Sequence, residues 1–325
     1  MKYLKFILSL LVSCSFYTHG LSQKIPQNNP AGQQKVVRIN PVKVDTNDPN
    51  KKALNKFSKE KMFNVNTPAK PLKPEEVRAM GYFNDGSKKG KAGNYEGAIL
   101  DFTRSLDLLK NVNSYIKRGY AYLMVGNYGA AISDETEAMT MPGSVNSAYF
   151  IRGLCRYETG DYKGAKQDLE VFLDRDRSNA IAFNYMAALS FMNQDYKGAL
   201  ENYDQVVRLD PRYPDIFTNR GMMRHYNQDF KGAIQDYDEA LKLDARNATA
   251  YNNRGAAKMM LKDLQGAMTD FNKAISINDK YADAFDNRGR VKQALGDTQG
   301  ACSDWQLAYS YGLEASRDLI MKFCK

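Results

Sequence analysis

Residues 251–274 read YNNRGAAKMMLKDLQGAMTDFNKA, and residues 217–240, lying 34 places earlier, read FTNRGMMRHYNQDFKGAIQDYDEA. Both open on an aromatic, carry Asn-Arg-Gly two places on, turn through Gly-Ala, and close on an Asp-aromatic pair followed by Ala. The same order runs outward in both directions. Ala131, Ala165, Ala199, Ala233, Ala267 and Ala301 stand 34 residues apart, with Ala98 one step earlier at 33. Twelve residues before each stands a small residue: Gly86, Gly119, Gly153, Ala187, Gly221, Gly255 and Gly289. Four before that stands an aromatic: Tyr82, Tyr115, Tyr149, Phe183, Phe217, Tyr251 and Phe285. Self-similarity at this period is the mark of a helical repeat array, in which each unit is too small to bury its apolar face alone.

Seven copies with this residue order resemble the tetratricopeptide repeat, a helix–turn–helix unit whose pattern is aromatic, small, packing alanine, aromatic, second alanine. Tyr251, Gly255, Ala267, Phe271 and Ala274 match it in one copy, and Phe217, Gly221, Ala233, Tyr237 and Ala240 in another. The resemblance runs from roughly residue 79 to 312 and implies an all-α, right-handed solenoid of about seven hairpins. It implies a protein or peptide partner held in a concave groove lined by the first helices.

Within each copy the corner is written as Gly93-Asn94, Gly126-Asn127, Gly160-Asp161, Gln194-Asp195, Gln228-Asp229, Lys262-Asp263 and Gly296-Asp297. Glycine suits a left-handed helix exit, and Asp or Asn caps the next start. Counting the aromatic as position four, position seven is Arg in five copies (Arg118, Arg152, Arg220, Arg254, Arg288). Position twenty-three is Asp in the same five (Asp134, Asp168, Asp236, Asp270, Asp304). The fourth copy loses both, having Met186 and Asn202, and the first has Asp85 and Asp101. Joint loss predicts a structural Arg–Asp pair that sets the register of the two helices.

The net charge of +9 sits in one place. Residues 23–74 carry eleven Lys or Arg against Asp45, Asp48 and Glu60, while residues 75–325 hold 33 basic and 34 acidic side chains. A near-neutral array disfavours a nucleic-acid partner, whose phosphates need clustered positive charge. Seven of the ten prolines fall in residues 23–74, amid Asn, Gln and Lys, so this stretch is expected to be a disordered linker. Pro68, Pro71 and Pro74 recur at the polyproline II period and are expected to stiffen its end.

Residues 1–22 read as an export signal, with Lys2 and Lys5 before the apolar run Phe6–Val12. Gly20-Leu21-Ser22 fits cleavage before Gln23, whereas Leu11-Val12-Ser13-Cys14 resembles a lipobox that would place a lipid on Cys14; both routes stay open. Either implies a periplasmic or outer-membrane-associated protein of a Gram-negative bacterium, touching membrane only through a lipidated N-terminus. At the other end the array, spanning 75–312, stops at Gly312, and 313–325 is expected to form a capping helix with Leu319, Ile320 and Phe323 on its apolar face. In an antiparallel hairpin Cys302 and Cys324 come level, leaving a disulfide and a pair of buried thiols both open.

Signals for catalysis are thin. His225 is the only histidine beyond residue 22, which removes His-based triads and two-histidine zinc motifs, and no paired-cysteine spacing exists. Gly86-Ser87-Lys88-Lys89-Gly90-Lys91 looks loop-like but lacks phosphate-loop spacing. No enzyme, cofactor or metal is expected. The resemblance assigns the groove to Tyr120, Phe150, Leu154, Tyr157, Phe191, Met222, His225 and Met259, and Asn219, Asn253 and Asn287 at position six resemble an asparagine ladder that grips a peptide backbone. Asn184 is assigned to the groove as well. The Lys–Asn–Lys–Arg clamp for chaperone carboxylates is absent, since Phe83, Ser87 and Lys117 stand there. The expected protein is a noncatalytic adaptor or scaffold, or alternatively a lipidated structural subunit of an envelope or secretion assembly.

Overall fold

The computed structural model describes residues 72–143, 146–213 and 215–324. The export signal, Cys14 and the linker up to residue 71 lie outside the described residues. Among the described residues there are fifteen helices and no strand. They are α1 (Pro74–Lys91), α2 (Tyr95–Leu108), α3 (Val112–Met124), α4 (Tyr128–Thr140), α5 (Asn146–Glu158), α6 (Tyr162–Arg175), α7 (Ala180–Met192), α8 (Tyr196–Leu209), α9 (Ile216–Tyr226), α10 (Phe230–Leu243), α11 (Ala248–Met260), α12 (Leu264–Ile277), α13 (Ala282–Ala294), α14 (Thr298–Ser310) and α15 (Ser316–Phe323). Odd and even helices through α14 pair into seven hairpins, each helix packing on the ones before and after it, and α15 closes the end. This is a solenoid, in which neighbouring repeats supply one another's core.

The corners follow from their residues. Asn94, Asn127, Asp161, Asp195, Asp229, Asp263 and Asp297 each accept a hydrogen bond from the amide three residues on, which satisfies a donor that the new helix leaves open. Pro74 opens α1 at the position where its missing N–H costs nothing. Gly86 to Lys91, loop-like in sequence, is helical and completes α1, its lysines lying at the favourable C-terminal end.

Hairpin packing explains the repeating small residues. All seven alanines of the 34-residue ladder are fully buried. At Gly221 an added Cβ would lie 2.8 Å from the Tyr237 ring, and at Gly255 2.8 Å from Phe271, so a larger residue would force the two helices apart. The cap is shorter than the thirteen residues expected, because the turn at Leu313–Ala315 precedes it. Ser316 Oγ donates to Asp286 Oδ1 at 2.7 Å, Phe323 packs on Trp305 with ring centroids 5.6 Å apart, and Cys302 is bonded to Cys324. These contacts fasten the cap to α13 and α14. No helix among the described residues is long and apolar enough to cross a membrane.

Candidate functional site

The Arg–Asp columns meet inside each hairpin. Arg118, Arg152, Arg220, Arg254 and Arg288 donate through Nε and Nη2 to both oxygens of Asp134, Asp168, Asp236, Asp270 and Asp304, at 2.6–3.0 Å. Their third donor, Nη1, reaches back to the second helix of the preceding repeat, at Thr103, Thr136, Asp204, Asp238 and Asn272 respectively. One guanidinium therefore fixes a hairpin and staples it to its neighbour. Four of them also lie 5.2–5.8 Å over the position-four aromatic of their own repeat.

A second basic side chain, four residues after the Arg column, was not legible as a pair in the sequence. Arg156, Arg224, Lys258 and Lys292 contact the same aspartates as the arginines, at 2.8–3.1 Å, and in repeat one Lys89 takes the Arg role toward Asp101. The signal was present in the 34-residue register. These charges are spent within the scaffold.

The groove residues assigned from the sequence divide in two. Phe150, Leu154 and Met222 are core residues: the adjoining helices cover their face, and the Phe150 ring sits 4.9 Å from Phe172. Asn184, Asn219, Asn253 and Asn287 are also buried. Two of them are joined through Asn252, one place earlier in repeat six: Asn287 Nδ2 donates to Asn252 Oδ1 and Asn252 Nδ2 to Asn253 Oδ1. Asn184 Oδ1, Asn253 Nδ2 and Asn287 Oδ1 have no hydrogen-bond partner among the described residues.

Tyr120, Tyr157, Phe191, His225 and Met259 are half-buried and lie toward the corner side of the hairpins. Their rings join aromatic side chains that open the second helices. Tyr157 touches Tyr162 and Tyr185 (5.5 and 4.9 Å), Phe191 touches Tyr196 and Tyr226 (5.8 and 5.7 Å), and Tyr196 stacks on Tyr226 at 4.6 Å. His225 meets Phe230 at 5.0 Å, and Tyr120 meets Tyr95 at 6.3 Å. Met192 and Met260 stand exposed on the same helix ends. The result is an uncharged aromatic and methionine band across repeats three to six, the composition that protein interfaces favour. Tyr196, Tyr226 and Tyr162 complete it; sequence spacing alone left their packing open.

Burial disfavours the charged forms of His225, Glu158 and Cys155 near the band. Burial pushes His225 down to about 4. Burial raises Glu158 against the opposing hydrogen bond from Tyr185, and raises the buried Cys155 thiol to about 12. Glu135 is wholly buried, and neither carboxylate oxygen has a hydrogen-bond partner among the described residues. Burial and the charge of Asp134 raise its pKa well above the usual value, outweighing Arg152. Among the described residues no group of three or more His, Cys, Asp or Glu is placed to hold a metal ion.

Hairpins of this length, with these columns, define a helical repeat solenoid. Models of the TPR repeat match residues 189–225 and 223–262, and models of the tetratricopeptide repeat match residues 147–178 and 248–281. Residues 147–178 and 189–281 thus match tetratricopeptide-repeat models, and the described residues have the fold of a tetratricopeptide-repeat solenoid. RNA polymerase II-associated protein 3 of Xenopus tropicalis is 31% identical over 106 residues, which is 32% of this chain and only 16% of that protein. Among solved structures, the C-terminal part of a TPR repeat-containing protein from Cytophaga hutchinsonii superposes with a TM-score of 0.58 at 18% identity, over 73% of this chain and 98% of that one. A tetratricopeptide repeat protein from Parabacteroides merdae gives 0.51 at 16% identity, covering 77% and 100%. YrrB, described as a TPR protein with an unusual peptide-binding site, gives 0.53 at 21% identity, covering 56% and 95%. At these identities the likeness is one of fold.

Proposed function

We propose that the chain is a noncatalytic adaptor of the bacterial cell envelope that binds a segment of a partner protein across repeats three to five. The observation that carries this reading is the uncharged band from Tyr157 through Phe191, Tyr196 and Tyr226 to Phe230, whose rings pack on one another yet keep part of their surface in solvent. Stacked rings present area with little entropy left to lose, which favours capture of an apolar or peptide-like surface. The peptide-binding site ascribed to YrrB, on a similar fold, supports the same class of ligand. The envelope placement rests on the Lys2–Ser22 export pattern.

The second reading, a lipidated subunit of an envelope assembly, is favoured by Leu11-Val12-Ser13-Cys14. Intact mass of the protein isolated from its native envelope separates the two: a chain starting at Gln23 supports the soluble adaptor, and a diacylglyceryl adduct on Cys14 supports the subunit. For the band, fluorescence anisotropy against an immobilisation-free library of extended peptides is the direct test. Tyr226→Ala should weaken the best binders about tenfold, equivalent to ~1.4 kcal/mol, with the melting curve little changed. Unaltered affinities for every binder would remove the band from the interface.

A further inference from the structure

We propose that the solenoid carries a built-in hinge between repeats three and four, so that repeats one to three and repeats four to seven move as two arms. Five joints between repeats are stapled by the Nη1 of a position-seven arginine, and the joint between α6 and α7 is not, because Met186 occupies that position. Asn202, where the aspartate column would continue, turns its amide onto its own helix and donates to the Gly198 carbonyl at 2.8 Å. Glu170 occupies the place at which Thr103, Thr136, Asp204, Asp238 and Asn272 accept the staple, and instead pairs along α6 with Lys166 at 3.7 Å in a solvent-exposed contact. Independently, α6 and α7 pack on each other less extensively than any other two consecutive helices that join repeats.

What crosses this joint near the band is Tyr185 of α7. Its hydroxyl donates to Glu158 Oε1 at 3.3 Å, and its ring meets Tyr157 edge-on. Near the band Tyr185 supplies one long hydrogen bond and one edge-on ring contact, where the other joints have the Nη1 of a guanidinium. In an array whose stability is a sum over neighbouring interfaces, the weakest interface opens first and sets where the chain bends. A hinge here would alter the distance between Tyr157 and Phe191, and hence the shape of the aromatic band.

Hydrogen exchange on the full-length chain is the test. Amides of α6, the 176–179 connection and the first turn of α7 should exchange at least tenfold faster than their counterparts at the joint between repeats five and six. The double substitution Met186→Arg/Asn202→Asp restores a staple with Glu170 already waiting, and should slow that exchange at least tenfold while narrowing the spread of maximum dimension in small-angle scattering. Tyr185→Phe should speed it further. Equal exchange at the two joints in the unmodified chain would overturn the hinge, whatever the variants do; so would a folded double variant whose exchange at α6–α7 matches the parent.

Discussion

Repeats five to seven and repeats two and four are built on one hairpin, yet they treat buried acid differently; repeat three, with Arg152 and Arg156 on Asp168 and Leu169 against Gly153, follows the later three. In the later three, Asp236, Asp270 and Asp304 are almost wholly enclosed, and each meets an arginine from its own repeat and a second basic side chain one turn further on. The residue after each is Tyr237, Phe271 or Trp305, and it fills the gap against the glycine opposite. In repeat two Asp134 has Arg118 as its only salt-bridge partner among the described residues, and the next residue is Glu135, whose carboxylate lies against Gly119 where the others place a hydrophobic side chain. Repeat four has neither member of the pair. A buried carboxylate strengthens a joint when its donors are arranged around it and weakens it when they are missing. Because each repeat touches only its neighbours, the array can hold both kinds of joint in one chain.

The sharpest way to break this comparison is to remove a staple from the regular half. Arg254→Ala leaves Asp270 enclosed and takes away three hydrogen bonds at once, including the one to Asp238. The expected loss is ~3 kcal/mol, the low end for breaking a buried pair, because Lys258 stays 2.8 Å from Asp270. Urea denaturation followed by circular dichroism measures it. Met186→Ala at the equivalent place in repeat four should cost clearly less. Equal losses would mean that the two halves do not differ in the way described.

The irregular half gives the opposite sign. Replacing Glu135 by Leu, which two-repeat comparison with Leu169 shows to fit the column, should stabilise the chain by ~2 kcal/mol at neutral pH by removing an unpartnered buried acid. The pH dependence follows from the direction of the shift. Burial holds the folded-state pKa of Glu135 above its unfolded value, so the folded state keeps the proton longer. That contribution is fully present below the ordinary carboxylate range and is lost as the pH rises through the raised pKa. The Glu135 contribution should therefore decline as the pH rises above the ordinary carboxylate range, and Glu135→Leu should remove that decline. A remaining slope of the same sign belongs to Glu158 and Asp236, which burial raises too, while His225, lowered by burial from 6.5 to about 4, contributes the opposite sign between those values. An unchanged profile in the variant would show that Glu135 reaches solvent.

Much of this was legible beforehand because periodicity is a property of sequence. The alanine and glycine columns, the corner caps and the Arg–Asp register all repeat, and repetition separates them from accident. The joint disappearance of Arg and Asp in repeat four could be read at Met186 and Asn202 without coordinates. What could not be read was depth. Leu154 and Met222 occupy the same helical position as the half-buried Tyr120, and only the placement of the adjoining helices decides that they are covered. The asparagines looked like groove residues because an amide suits a peptide backbone; instead the seam between repeats encloses them, and Asn252, Asn253 and Asn287 bond to one another. Glu135 was visible as a charge in an otherwise hydrophobic column, but its lack of donors depends on which way its neighbours face.

A smaller contrast follows a different boundary, with the corners of repeats four to six carrying the strain. Four corners leave the first helix through a glycine in the left-handed region, Gly93, Gly126, Gly160 and Gly296, whereas repeats four to six use Gln194, Gln228 and Lys262 at φ of 61°, 63° and 65°. A side chain in that region costs ~1 kcal/mol or slightly more, because its Cβ crowds the following carbonyl. Glycine removes that crowding but loses more chain entropy on folding, an opposing effect of about 0.5 kcal/mol. Lys262→Gly should therefore stabilise by ~0.5 kcal/mol, and Lys262→Val, whose branched side chain tolerates the region least, should destabilise by ~1 kcal/mol. Because Asp263 still caps α12 in both variants, the difference between them reports the backbone alone. If Gly and Val leave the urea midpoint in the same place, the corner relaxes out of the left-handed conformation in solution, and Lys262 stores no strain there.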